Sequence, residues 1–428
     1  MRIGILTQGS QGDVRPFLAL GLALQTKGHD VFIATNESNK KFFAQKSLKF
    51  VPLPGNLEDC LNAGTEHSGI GKVQIVRNMI QLVHESARKQ FESLQNLLKN
   101  VDAVVYHPVV FTAEHVIEAL KIPSIKVYTT PDIPTRYYAC CIFPPRMPLQ
   151  QWANRASHFI GAQLFWAPFR KIINETRTKD LGLKKLGFFA PLSHQPFQAV
   201  PKVIAASKAL VPPAPDWPKN VHVAGFMELR DEAGWVPPTS LQQFINAGAP
   251  PVYIGFGSLT KKCDEKMSAA ILNTLHKLPI RTILCGPFLH IKKDQLPSHV
   301  LWIESAPHDW LFPRVAAIVH HGGAGTTHAS LLAGKPTLVV PFICDQFHWG
   351  DRVHQHGAGP VSLPSTSFTH ETFQKSLEQL LKTPSYQIQA NRLSQEIQRE
   401  NGVERVIELL HQYCENYADS RDLTDQTH

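Results

Sequence analysis

The 428-residue sequence has no run of 18 consecutive apolar residues. A helix needs about 20 to cross a bilayer, so no membrane span is expected. The apolar run in the opening "MRIGILTQGSQGD" is much shorter than a secretory signal requires and reads as a first β-strand. The seven cysteines are odd in number and show no C-x-x-C spacing, although Cys140 and Cys141 are adjacent. That pattern excludes a disulfide framework and a sequence-spaced zinc site, and predicts a cytoplasmic chain with reduced, buried thiols. There is no RNA-binding aromatic signature and no basic arm, so nucleic acid is not an expected partner.

What is present is globular: 43% hydrophobic and 18% charged residues, with a formal net charge of +8. The excess of positive charge suits an anionic partner, a phosphate or an acidic membrane surface, without choosing between them. The length suits two domains. "RIGILT", "DVFIAT", "KFVPLP", "DAVVYHP" and "SIKVYTT" read as strands. Between them lie helical patterns from Pro16 to about Lys27, near 71–100 and near 112–121. Strands apolar on both faces that alternate with helices predict a parallel sheet covered on both sides. Proline and glycine then concentrate across 211–251, and the pattern restarts with "PVYIGFGS", "RTILCG", "VLWIES", "AAIVHH" and "PTLVVP". The expected fold class is therefore α/β, with two Rossmann-like domains facing across a cleft. The first spans 1–225, a Pro/Gly-rich linker 226–250, and the second 251–395. A helix over 396–415 docks back on the body, and 416–428 is a frayed tail.

In such sheets ligands bind beyond the carboxyl ends of the strands, which selects a few loops. "HHGGAGT" follows a strand and opens a helix, so its glycines and free N–H groups form either a structural turn or an anion site, with His321 at its edge. It is not a Walker A loop, because no Lys-Ser/Thr follows the last glycine. Asp345-Gln346 follows the next strand; the pair suits the hydroxyls of a sugar, and Asp345 equally suits a helix N-cap. Asp13, between Gly12 and Pro16, admits the same two readings, a cap or a general base facing the cleft.

Several of these segments resemble one family. "PHDWLFPRVAAIVHHGGAGTTHASLLAGKPTLVVPFICDQFHWGDRV" and "GSQGDVRPFLALGLAL" are similar to the donor and amino-terminal motifs of the GT-B glycosyltransferases, specifically the sterol 3β-glucosyltransferase group. "WANRASHFIGAQLFWAPFRKIINETRTKDLGL" resembles the stretch that follows the family's acceptor region. The resemblance implies a metal-independent, inverting transfer of a hexose, with glucose expected, from a UDP-sugar to a sterol or other lipophilic hydroxyl. It places Ser258, His321, Gly323, Gly325 and Thr326 on the diphosphate, Asp345 and Gln346 on the sugar, and Asp13 as the base. Asp13 falls where related plant enzymes carry a histidine in a G-H-x-x-P turn. The plant uracil-stacking Trp aligns with Ser305 and the ribose-binding Glu with Ala329, so other groups must read the nucleoside. No D-x-D motif is present, and no metal or other cofactor is expected. Transfer to a polyketide, polyphenol or other natural product, UDP-sugar 2-epimerisation on a similar fold, and non-catalytic binding of a nucleotide sugar are the alternatives.

The acceptor is expected against the first domain, with Ser10, Thr130, Pro131, Tyr137 and Phe143 as candidate contacts, because "TTPDIPTRYYACCIFPPRMP" suits an apolar slot. Downstream, Phe159, Phe165, Trp166 and Phe169 alternate with Arg155, Arg170, Lys171, Arg177 and Lys179. That segment is either a peripheral membrane contact or a helix buried against its own domain.

Overall fold

A computed structural model describes the chain apart from residues 44–45, 56–71, 144–150, 191, 231–234 and 426–428. Among the described residues two sheets form, and every strand pairing in them is parallel. The first comprises β1 (Arg2–Leu6), β2 (Asp30–Thr35), β3 (Lys49–Pro52), β4 (Ala103–Tyr106), β5 (Ser124–Tyr128), β6 (Lys202–Ile204) and β7 (Val221–Val223). Their spatial order is β3-β2-β1-β4-β5-β6-β7. The second comprises β8 (Val252–Gly255), β9 (Thr282–Cys285), β10 (Val300–Ile303), β11 (Ala317–His320) and β12 (Thr337–Val339), ordered β10-β9-β8-β11-β12. Each order reverses direction once, between β1 and β4 and between β8 and β11, and these reversals are where open α/β sheets leave room for a ligand.

The two-residue period of the strands builds the first core. Ile3, Ile5, Val31, Ile33, Ala103 and Val105 face one side, where the helix Gln11–Thr26 packs. Leu6, Phe32, Ala34, Val104 and Tyr106 face the other, under the helices Lys72–Leu97, Phe111–Leu120 and Gln151–Lys179. A separate cluster joins the domains: Ile133, Ile204, Leu210 and Val223 pack with Leu331, Val339, Trp349 and Ile397.

The structure departs from the sequence reading in four places. The first helix begins at Gln11, not Pro16, because Ser10 and Asp13 form a capping box that starts it five residues earlier. Strands β6 and β7 have three residues each, too short to show a period. The expected linker contains the helix Thr239–Asn246, fixed by burial of Leu241 beside Tyr253 and Phe312. The carboxy-terminal helical stretch is two helices, Pro384–Gln398 and Gly402–Asp425, so 416–425 is helical rather than a frayed tail. Val406, Ile407, Leu409 and Leu410 of the last helix close the first-domain core. The thiols also divide: Cys140, Cys263 and Cys285 are buried, Cys141 and Cys414 partly so, and Cys344 is exposed.

Candidate active site

The loop after β1 is held from several sides. The Thr7 hydroxyl donates to the Asp13 carbonyl (2.8 Å), and Gly9 N–H donates to the Asn36 side chain (3.0 Å). Gly9 has φ +119°, and a Cβ there would lie 2.5 Å from the Asp13 carboxylate, so only glycine admits the turn. Asp13 Oδ2 accepts from the Ser10 amide (2.9 Å) and the Ser10 hydroxyl (3.0 Å). The capping reading of Asp13 is thus realised, and the same bonds fix its carboxylate in the turn after β1. After β4, the neighbour across the reversal, His107 is buried, bonds Thr129 Oγ1 at 3.3 Å and is lowered to about 3 by burial and then by Lys126.

The second domain presents the glycine-rich turn after β11. His320 Nδ1 accepts from Gly322 N–H (2.8 Å), tightening the turn. The His321 ring lies between Gly257 and Gly323, where a Cβ would come within 3.2 and 2.6 Å of ring atoms. Both glycines therefore make room for one imidazole. Burial lowers His321 to about 4, so at neutral pH it is an uncharged donor or acceptor rather than a cation. Gly323 caps the helix Ala324–Leu332, whose first N–H groups, with Gly325 and Thr326, border the cleft. Ser258, after β8, is exposed in the short helix Gly257–Lys262.

The loop after β12 is locked to that turn. Gln346 is buried, and its Oε1 accepts from the Phe342 (2.8 Å) and Ile343 (3.1 Å) amides. Gly322, at φ +91°, lies so close that a Cβ would sit 2.8 Å from the Gln346 carbonyl oxygen. Asp345 occupies the N-cap position of the helix Gln346–Gln355 without making a cap bond; its Oδ2 accepts instead from the Trp349 indole N–H at 3.2 Å. Its carboxyl is pushed up to about 7, first by burial and next by the negative charge of Asp13. The nominated base and the nominated sugar ligand therefore lie within electrostatic reach although they belong to different domains.

Between the domains runs a cleft of about 1090 Å³, bordered by Gly12 and Arg15 on one side and Pro307, His308, Gly325 and Thr326 on the other. Arg15 and His308 were not singled out from sequence. The Arg15 guanidinium donates to the Leu229 carbonyl at 3.3 Å, and its charge contributes, after burial, to lowering His308 to about 3. Their signal was positional: Arg15 lies in the same G-D-x-x-P turn as Asp13, and His308 in the "APHDW" segment.

The acceptor candidates are less uniform. Ser10 and Tyr137 are exposed, Thr130 and Phe143 partly buried, and Pro131 buried, which removes Pro131 as a contact surface. The loop is held by Asp216, whose Oδ1 accepts from the Thr135 hydroxyl (2.5 Å) and Oδ2 from the Arg136 amide (2.9 Å). One group among the described residues has metal-ligand composition: Asp132, Cys140 and Cys141, with ligand atoms within 4.8 Å of one another. A hydrogen bond with Cys140 and then burial raise the Cys141 thiol well above its usual range, so it is a protonated thiol rather than a ready ligand.

Twin parallel sheets, each reversing once, with the turn after β1 and the helix start after β11 bordering one cleft, define the GT-B architecture. Residues 3–139 match the glycosyltransferase family 28 N-terminal domain, and 289–412 the erythromycin biosynthesis protein CIII-like C-terminal domain. The chain is 34% identical to the sterol 3-beta-glucosyltransferase UGT80A2 of Arabidopsis thaliana, over 94% of this chain and 64% of that one. With UGT80B1 of the same plant identity is 32%, over 96% and 68%. The fold is similar to that of the spinosyn forosaminyltransferase SpnP, with a TM-score of 0.71 at 18% identity over 97% of this chain and 99% of that one. It is also similar to that of the glycosyltransferase VinC, solved with dTDP, with a TM-score of 0.68 at 20% identity over 97% and 100%. The chain belongs to the GT-B glycosyltransferases, in the group of the sterol 3-beta-glucosyltransferases. It spans about two thirds of the plant relatives and 31% of the sterol 3-beta-glucosyltransferase of Aspergillus fumigatus.

Proposed function

We propose that the chain transfers a hexose, with glucose as the expected sugar, from a UDP-sugar to the hydroxyl of a sterol or other lipophilic alcohol, inverting the anomeric carbon. The observation that carries this reading is that the Asp13 turn, through Gly12 and Arg15, and the glycine-turn helix start, through Gly325 and Thr326, border one inter-domain cleft. A sugar held by Asp345 and Gln346 would have Asp13 close to its reacting carbon, with its diphosphate at the Gly323–Thr326 helix start.

An acceptor hydroxyl, with a pKa near water's roughly 16, is far too weak an acid for any carboxylate to ionise beforehand. Asp13 therefore takes the proton as the new C–O bond forms. The departing diphosphate gains negative charge, which the N–H groups and dipole of the helix Ala324–Leu332 meet as it develops. His321, neutral at pH 7, contributes as a hydrogen-bond donor in one of its tautomers.

This design needs no divalent cation. Full rate in EDTA is the expected result; loss of rate restored by manganese would reverse the metal-free reading. Mass spectrometry of products from UDP-glucose with a panel of sterols, other lipids and polyphenols tests the function itself. Conversion of a sterol is expected, and conversion of polyphenols alone would move the assignment to natural-product glycosylation.

A further inference from the structure

The helix Gln151–Lys179 answers the buried-or-membrane question in two halves. Trp166, Phe169, Ile172 and Ile173 turn into the first-domain core. Leu164 and Phe165, with Phe188 and Phe189 of the following loop, remain 56–60% exposed. Phe159 packs on Phe189 at 5.9 Å and Phe189 on Phe188 at 5.4 Å, so the rings form one ridge; the Arg170 guanidinium lies 5.6 Å from the Phe188 ring centre. Clustered aromatic surface of this kind marks an interaction site rather than scattered surface apolarity.

Charge selects the occupant. Residues 151–190 hold seven Lys and Arg against two acidic residues, a net +5 out of the chain's +8. Arg177 is buried against Glu118, whereas Arg155, Arg170, Lys171, Lys179, Lys184 and Lys185 are exposed. A ridge of rings bordered by cations fits an anionic bilayer: the rings enter the boundary between headgroups and acyl chains, and the cations meet lipid phosphates.

The same helix is bonded to the acceptor loop. Asn154 Nδ2 donates to the Arg136 carbonyl (2.9 Å), the Cys140 amide donates to Ser157 Oγ (2.9 Å), and His158 Nε2 bonds the Tyr138 carbonyl (3.0 Å). We propose that the face formed by helix Gln151–Lys179 and the loop 182–190 docks on anionic lipid and brings the loop 130–143 to the bilayer surface. The docking stands without the glycosyl-transfer reading; only the delivery of an acceptor rests on it.

Co-sedimentation of the full chain with phosphatidylcholine vesicles, with and without phosphatidylserine, tests the docking. Binding to the anionic vesicles at low salt, weakened by added salt, is expected. The variant L164S/F165S/F188S/F189S and the variant K184E/K185E should each partition at least about tenfold less. Melting temperature and far-UV circular dichroism report folding; if the serine variant fails that control, the charge variant decides alone. No binding by the wild type, or unchanged binding by a folded variant, overturns the proposal. So does a wild-type dimer that the serine variant splits, which would make the face a self-interface. With transfer assayed in parallel, the serine variant should lose conversion of a vesicle-embedded sterol and keep that of a water-soluble alcohol. Absence of transfer to every acceptor would count against the enzyme reading and leave the vesicle result untouched.

Discussion

Replacing Asp13 with Asn is expected to lower turnover at least about a hundredfold while UDP-sugar affinity stays close to wild type. The substitution separates the cap bonds that the structure shows for this residue from the base role proposed for it. An Asn side-chain oxygen still accepts from the Ser10 amide and hydroxyl, so the helix Gln11–Thr26 keeps its start. What disappears is a group able to take a proton in the transition state. Turnover, calorimetric UDP binding and melting temperature, measured together, distinguish a lost base from a damaged fold. Near wild-type turnover would remove Asp13 from the chemistry. A second readout tests the geometry alone. Because Asp13 is the second cause of the raised Asp345 carboxyl, its neutralisation should move the titration of Asp345 to lower pH. Burial, the larger cause, keeps that shift partial. UDP-glucose binding followed across neutral pH reads the change; an unmoved profile would mean that the two carboxyls do not face each other.

Acidification should unfold the protein steeply below the ordinary histidine range. His107, His115, His320 and His328 are at most 6% exposed. All four are lowered by burial, His107 to about 3 and His328 to about 4. In the unfolded chain each binds a proton below pH 6.5, whereas in the folded chain each stays neutral to much lower pH. Stability is therefore present above 6.5 and lost as pH falls, with a slope of up to about 5 kcal/mol per pH unit for four such groups. Asp345 acts in the opposite sense, since it binds a proton in the folded state at a higher pH than in the unfolded one, but it is a single group. Melting temperature measured from neutral pH to about pH 5 checks this. A flat profile would mean that these rings gain protons without unfolding. His328 is the sharpest case: its Nε2 accepts from the Ser207 amide at 3.0 Å across the domain junction, while its Nδ1 bonds the Ala324 carbonyl at 2.7 Å. A proton on Nε2 would break the inter-domain bond.

The sheets were legible because their longer strands are apolar on both faces, and the glycine turn was legible because Gly322 and Gly323 serve a backbone purpose visible in composition. The choice between cap and site residue was not. Asp13 and Asp345 each stand near a helix start, and spacing treats them alike. The structure separates them, since Asp13 makes cap bonds and Asp345 bonds Trp349 four residues on. The division within "FIGAQLFWAPF" was equally hidden. Adjacent Phe165 and Trp166 part company, one exposed and one buried, because only the position of the neighbouring helices decides which side of this helix is inside. Arg15 and His308 gain meaning only when the domains are brought together, which no local pattern encodes.

The polypeptide passes between its two halves twice, once after β7 and again between the last two helices. These passages touch: a Cβ on Gly402 would lie 2.4 Å from the Gly225 carbonyl oxygen and 2.5 Å from that of Phe226. Two strands of chain pinned at one spot behave as a pivot. For the proposed nucleotide-sugar donor, such a crossing favours rotation of the halves about that spot over their sliding apart. A larger side chain at position 402 would wedge the crossing itself, at the edge of the same cleft that Gly12, Gly325 and Thr326 border.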